Sequence, residues 1–188
     1  GQTCVAPDYL LVHQTVKAKL IEVICNWIIA FYGERPQDSP DYARIINEQH
    51  FDRLNGLLSE GKVIYGGKTD REACYISPTL MEEVPAEAPL MQDEIFGPIL
   101  PILEFDDLSK AIELINQRPK PLALYIFSSD RQTQQRIIAQ TSSGGVCVND
   151  TVIHLSVPSL PFGGVGASGF GRYNGKAGFD TFSNAKSI

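Results

Sequence analysis

Residues 99–150 read "ILPILEFDDLSKAIELINQRPKPLALYIFSSDRQTQQRIIAQTSSGGVCVND", and this stretch decides the fold. Three apolar runs, 99–105, 121–129 and 145–150, have strand length and are rich in Ile, Leu and Val. The intervening segments 106–117 and 130–140 read as helices. Strands alternating with helices of roughly ten residues are the signature of parallel βαβ units. The runs "LALYIF" and "GVCV" are apolar on both sides, which suits strands covered on both faces. The expected class is therefore α/β, a mostly parallel sheet covered by helices.

Working outward toward the N-terminus, 9–13 reads as a short strand. From Thr15 the spacing turns helical, with Val16, Leu20, Val23, Ile24, Trp27, Ile28 and Phe31 recurring at threes and fours. Gly33 supplies a stop, and the breaker-rich "ERPQDSP" follows. Ser39-Pro40 reads as an N-cap with proline at the first helical position, predicting a helix or helix pair to Glu60. "KVIYGG" at 62–67 and "CYISPTLM" at 74–81 read as strands. A Pro-rich connector, 85–89, leads into "MQDEIFGP".

The chain has 188 residues, enough for one domain with a real core. With 43% hydrophobic and 20% charged residues it is globular rather than disordered. A net charge of -6 and a pI near 5.0 argue against nucleic acid as the main partner. The most apolar stretch, 20–32, is broken by Glu22 and Asn26 and is too short to cross a bilayer. No signal peptide is visible, and the first residue is not methionine. Cysteines 4, 25, 74 and 147 form no CxxC pair, so neither zinc nor a disulfide framework is expected. A reducing compartment, the cytoplasm, is the default expectation, with association through a membrane tail beyond Ile188 left open. His13, His50 and His154 lack partners at metal-ligand spacing, and no metal is expected.

The last quarter breaks the alternation. Seven glycines between 163 and 178 make it loop-rich. Gly164-Val165-Gly166-Ala167-Ser168-Gly169 formally matches G-x-G-x-x-G, but the residues before it are broken by proline. Too little chain follows for a second strand and its acidic ribose ligand. A glycine turn packed against a neighbouring wall is the better reading.

Taken alone, Cys4 is either an inert terminal thiol, the commoner state of a free cysteine, or a nucleophile. Four ordered motifs bear on the choice: "GQTC" at 1–4, "QDEIFGPILPI" at 92–102, "GGVCVND" at 144–150 and "PFGGVGASGFGRYNGKAGFDTFS" at 161–183. Together they resemble the aldehyde dehydrogenase superfamily, closest to its class 3 and fatty-aldehyde branch, over essentially the whole chain. The resemblance implies a catalytic domain over 1–179, with 180–188 beginning an oligomerisation strand.

It also implies roles. Cys4 matches the catalytic cysteine, whose thiolate attacks the aldehyde and whose backbone N–H helps bind the oxyanion. Glu94 matches the glutamate that holds the nicotinamide-side ribose hydroxyls of NAD or NADP, and Phe96 the aromatic beside the nicotinamide. Without the motif, Glu94 reads as a surface carboxylate and Phe96 as core packing. Asn149 matches an asparagine near the substrate, with turn capping as its plain alternative. Phe162 would border the aldehyde channel.

The resemblance further implies that the family's general base, its oxyanion asparagine and its nucleotide-binding domain lie upstream of the cysteine. These 188 residues alone are therefore expected to lack dehydrogenase turnover. A homodimer is the expected assembly. Two other readings stay open: a cysteine hydrolase with Gln2 as oxyanion donor and His13 or His154 as base, and a non-catalytic oligomerisation module.

Overall fold

A computed structural model describes residues 1–188, which divide into two compact units, Gly1–Asp107 and Leu108–Ile188. The first contains β1 (Leu10–His13), α1 (Gln14–Tyr32), α2 (Glu48–Leu57), β2 (Lys62–Tyr65), β3 (Thr69–Asp70), β4 (Tyr75–Ile76), β5 (Thr79–Glu82) and β6 (Ile99–Phe105). The second contains α3 (Leu108–Gln117), β7 (Ala123–Ile126), α4 (Arg131–Gln140), β8 (Gly145–Val148) and α5 (Gly175–Thr181).

The first unit is built on a sheet in the order β1-β6-β5-β2. β6 runs parallel to both β1 and β5, and β2 closes the sheet antiparallel to β5. Proline is unusual in a central strand because it cannot donate to the ladder. Pro101 is accommodated because β6 changes partner just there. Ile99, Leu100 and Pro101 face β5, and from Ile102 onward the pairing passes to β1.

Alternation along these strands sends side chains to two faces. Met81 and Ile99 join Phe51 and Leu54 of α2 with Ile45, Ile76, Leu90 and Ile95 in one core cluster. Leu80 and Ile102 join Val12 in a second, covered by Leu20, Ile21, Ile24 and Cys25 of α1. A sheet covered on both faces is what its apolar strands require. Lys17 ties α1 down, its ammonium 2.6 Å from Glu82 and 3.0 Å from Glu104. Gly33, at φ 77°, ends α1 where the periodicity stops.

Between 39 and 60 the expectation needs correction. No helix begins at Pro40; a short 3-10 turn, Pro36–Asp38, comes first, and α2 starts at Glu48. Asn47 is the true cap, its side chain accepting from the His50 N–H at 2.8 Å. The segment before it is held extended: the Ile45 N–H donates to the Cys74 carbonyl at 2.8 Å. The Tyr42 hydroxyl donates to the Ile76 carbonyl at 2.7 Å. "CYISPTLM" is likewise split, β4 pairing with β3 in a separate hairpin while β5 joins the main sheet.

In the second unit β7 and β8 are parallel neighbours joined through α4, the βαβ unit foreseen from the alternation. Asp130 caps α4 by accepting from the N–H groups of Gln132 and Thr133. The glycine-rich segment opens no dinucleotide-binding helix. It makes a 3-10 turn, Gly166–Ser168, and wraps around Arg172, which donates to the Gly163 and Gly164 carbonyls. α5 ends at Thr181, and residues 182–188 have no regular secondary structure. No helix is long and apolar enough to cross a membrane.

Leu54 is fully buried in the first cluster. Leu54→Ala should therefore cost about 2–5 kcal/mol, and Asn47→Ala about 1 kcal/mol through loss of the cap. Urea unfolding followed by circular dichroism checks the ranking, which fails if the cap variant is the more damaging.

Candidate active site

The loop bearing Cys4 is anchored on both sides of the thiol. Val5 is 1% exposed and roots the loop in the interior, while the Ala6 N–H closes a turn onto the Thr3 carbonyl at 2.9 Å. Upstream, the Gln2 carboxamide donates to the Arg44 carbonyl at 2.8 Å and accepts from the Ile46 N–H at 3.1 Å. Cys4 itself is exposed with a free thiol.

Two contacts seat this loop on the turn carrying Glu94 and Phe96. Asp8 accepts the Ile95 N–H at 2.9 Å. Gly1 lies against Gly97 so closely that a Cβ on Gly1 would stand 1.8 Å from the Gly97 carbonyl oxygen. A side chain on Gly1 is excluded there, which accounts for glycine at that position. The structure thus brings the Cys4 loop and the 94–97 turn together in the first unit.

The turn is also held from behind. Phe96 has φ 52°, a conformation that L residues other than glycine seldom adopt. Its carbonyl accepts from His50 Nε2 at 2.7 Å, and Arg53 donates to the Ile95 carbonyl. Arg53 Nε also reaches His50 Nδ1 at 3.4 Å. Because Nδ1 accepts, the proton on the neutral ring sits on Nε2, which makes His50 the donor to Phe96. Phe96, His50 and Arg53 line a groove of about 530 Å³ with Ile46, Asn47 and Gln49. Asp8, His50 and Arg53 escaped the sequence reading. The H-x-x-R spacing, which puts both side chains on one helix face, was a usable signal for the latter two.

Glu94 is exposed at the edge of the turn. Partial desolvation pushes its carboxyl above the usual range, the nearby Asp8 carboxylate adds to this, and Arg53 opposes both. No three His, Cys, Asp or Glu side chains converge as a metal site would require.

Asn149 and Phe162 belong to the second unit. Asn149 sits just past β8 at φ 59°. Its side-chain oxygen accepts the Ser128 N–H at 2.9 Å, and its own N–H donates to the Ile126 carbonyl at 2.7 Å. It therefore joins the exits of β7 and β8. Phe162 pairs with Tyr173 through two backbone bonds of 2.9 Å, their rings edge-on at 5.5 Å. His154 packs between Phe162 and Tyr125, both of its ring nitrogens buried without a partner.

The side chains named in the hydrolase reading have partners of their own. The Gln2 carboxamide is engaged with the 44–46 backbone rather than presented to an oxyanion. His13 caps α1, its Nδ1 2.8 Å from Thr15 Oγ1, and His154 packs against the rings of Tyr125 and Phe162.

The aldehyde dehydrogenase family profile matches residues 1–188. The chain is 53% identical over 189 residues to the 4,4'-diaponeurosporen-aldehyde dehydrogenase of Staphylococcus aureus, covering 100% of this chain and 41% of that protein. It is 50% identical over 187 residues to the dimeric NADP-preferring aldehyde dehydrogenase of Rattus norvegicus, covering 100% of this chain and 41% of that one. A solved structure described as the substrate bound state of Staphylococcus aureus AldH superposes with a TM-score of 0.94 at 51% identity, over 100% of this chain and 43% of the other. The chain thus spans about two fifths of the length of these relatives.

The Glu94 environment has a measurable consequence. A carboxyl raised on folding binds its proton more tightly in the native state. Its contribution is full below the ordinary carboxyl range and is lost as pH rises through the raised value. Glu94→Gln should therefore raise the urea midpoint at about pH 7, with the gain shrinking toward zero by about pH 4. An equal gain at both values would show that the carboxylate is not the cause.

Proposed function

The chain belongs to the aldehyde dehydrogenase family, and from that membership we propose that it carries the nucleophile of an NAD(P)-dependent oxidation of aldehydes to carboxylic acids. The observation that carries the reading is the exposed Cys4 thiol, on a loop seated directly against the Glu94–Gly97 turn.

The Cys4 thiolate adds to the aldehyde carbon, forming a C–S bond and a thiohemiacetal. The Cys4 backbone N–H donates to the oxygen on which negative charge builds. Loss of hydride converts the adduct to a thioester, and water releases the acid and restores the thiol. The dinucleotide, when bound, supplies the hydride acceptor. The residues fit such a group. Glu94 is an exposed carboxylate able to accept from two vicinal ribose hydroxyls, and Phe96 offers an apolar ring at the rim of an open groove. Held above the usual carboxylate range, Glu94 is a better acceptor than an ordinary carboxylate.

Asn149 and Phe162 are assigned to the substrate side, Asn149 at the carboxyl end of a parallel strand and Phe162 on the aromatic cluster with Tyr173 and His154. Asp180 and Thr181 close α5, so of the segment 180–188 the part after Thr181 is assigned to pairing with a second copy; dimeric is also the description of the Rattus norvegicus relative. Four free cysteines suit a reducing compartment, and the cytoplasm is the one we assign.

Two results test the reading. These 188 residues alone should give no aldehyde-dependent absorbance at 340 nm with NAD or NADP, because the family resemblance implies that the nucleotide-binding domain is not among them; loss of the general base, which it also implies, would by itself cost about 10²–10⁴-fold. Among the four cysteines, Cys4 should be the fastest to react with iodoacetamide by peptide-resolved mass spectrometry. Turnover by the 188 residues would overturn their expected inactivity, and faster labelling of Cys25 would contradict the nucleophile reading.

A further inference from the structure

Gln2 makes a two-point contact suited to an amide, which carries a donor and an acceptor side by side on one planar group. It donates through Nε2 to the Arg44 carbonyl at 2.8 Å and accepts through Oε1 from the Ile46 N–H at 3.1 Å. The backbone it grips is fixed by several independent bonds. The Arg44 guanidinium donates to the Tyr42 carbonyl at 2.9 Å and the Gln37 carbonyl at 2.5 Å, and lies 5.2 Å from the Tyr75 ring centre. Ile45, between the two gripped residues, is 5% exposed and bonded to Cys74. One residue beyond Ile46, Asn47 starts α2, which carries the two side chains that hold the Phe96 turn.

We infer that Gln2 is a positioning residue: its carboxamide locks the Cys4 loop to the 44–46 backbone and so aims the Cys4 N–H and thiol at the same carbonyl group. The inference rests on the reading of Cys4 as nucleophile. Gln2 touches neither substrate nor reacting atoms; it acts through the loop. Gly1 against Gly97 fixes how near the loop comes to the turn, and Gln2 fixes its rotation about that contact.

The consequence separates two reactions of one thiol. Alkylation by iodoacetamide needs only an accessible thiolate. Acylation by p-nitrophenyl acetate needs oxyanion support as well: the thiolate attacks the carbonyl carbon, the C–S bond forms, the C–O bond breaks and p-nitrophenolate leaves. The ratio of the acylation to the alkylation rate at Cys4 cancels the thiolate fraction and reports loop geometry. Misplacement of a reacting group by about 1 Å costs up to about a hundredfold.

The test measures both rates on the 188-residue chain by mass spectrometry, with Cys25 and Cys74 as internal references. Gln2→Leu should lower the ratio about tenfold or more while leaving alkylation of Cys4 nearly unchanged. Gln2→Glu keeps the acceptor for Ile46 but, when ionised, has no proton for Arg44. Its ratio at about pH 8, where an ordinary glutamate is ionised, should fall below wild type by more than about twofold. Should Gln2→Leu fail to fold, Gln2→Glu decides, and a Gln2→Glu ratio at about pH 8 within about twofold of wild type overturns the inference. A Gln2→Leu ratio within about twofold of wild type overturns it as well, while the nucleophile reading stands. If wild-type Cys4 acylates no faster than Cys25, the nucleophile reading fails and takes this one with it.

Discussion

The first unit depends on a stack of three elements with no room for a side chain between them. A Cβ on Gly1 would meet the Gly97 carbonyl oxygen at 1.8 Å, and a Cβ on Gly97 would meet Leu54 Cδ1 at 2.5 Å. The Cys4 loop, the 94–97 turn and α2 are therefore pressed together, and a shift in one is transmitted to the others through atoms that cannot be compressed. Asp8 reinforces the junction from the loop side and Arg53 from the helix side, bonding the N–H and carbonyl of the same residue, Ile95. Ile95 is 1% exposed, so both of its backbone groups need partners in the interior.

Such support explains how strained backbone persists. Phe96, Asn149 and Val152 all lie at positive φ, between 52° and 64°. Each such conformation costs on the order of 1–3 kcal/mol and survives only where its surroundings over-determine it. For Phe96 those surroundings are His50, Arg53 and the buried residues on either side. For Asn149 they are the backbone bond to Ile126 and the side-chain bond to Ser128.

What could be read from the sequence was what local signals encode. α1, β6, α3, β7, α4 and β8 announce themselves through apolar spacing, an Asp cap and a terminal glycine, all within a few residues. The start of α2 was misread because Ser39-Pro40 and Asn47-Glu48 both have cap chemistry. Only the tertiary bonds of Tyr42 and Ile45 hold the segment between them extended. The site divides the same way. Cys4, Glu94 and Phe96 stand in recognisable motifs, whereas Gln2, Asp8 and His50 act across 42, 87 and 46 residues. A hydrogen bond over such a separation leaves no periodicity, so the fold has to be in hand before it can be seen.

The treatment of charge around the turn follows from the same geometry. Arg53 stands near Glu94, and an ion pair between them would be the simplest way to satisfy both. Instead the guanidinium is spent on the Ile95 carbonyl and on His50, and it reaches Glu94 only as a through-space charge. A carboxylate in a close bidentate pair has few lone pairs left for an incoming hydroxyl, and displacing the arginine would cost binding. By fixing Arg53 on backbone, α2 both supports Phe96 and leaves the Glu94 carboxylate outside a close ion pair. Asp8 then has two roles: it holds Ile95 in place, and its charge raises the Glu94 carboxyl. Loss of the Asp8 carboxylate would loosen the turn and relax Glu94 toward an ordinary carboxylate, so position and basicity at this edge are not independent properties.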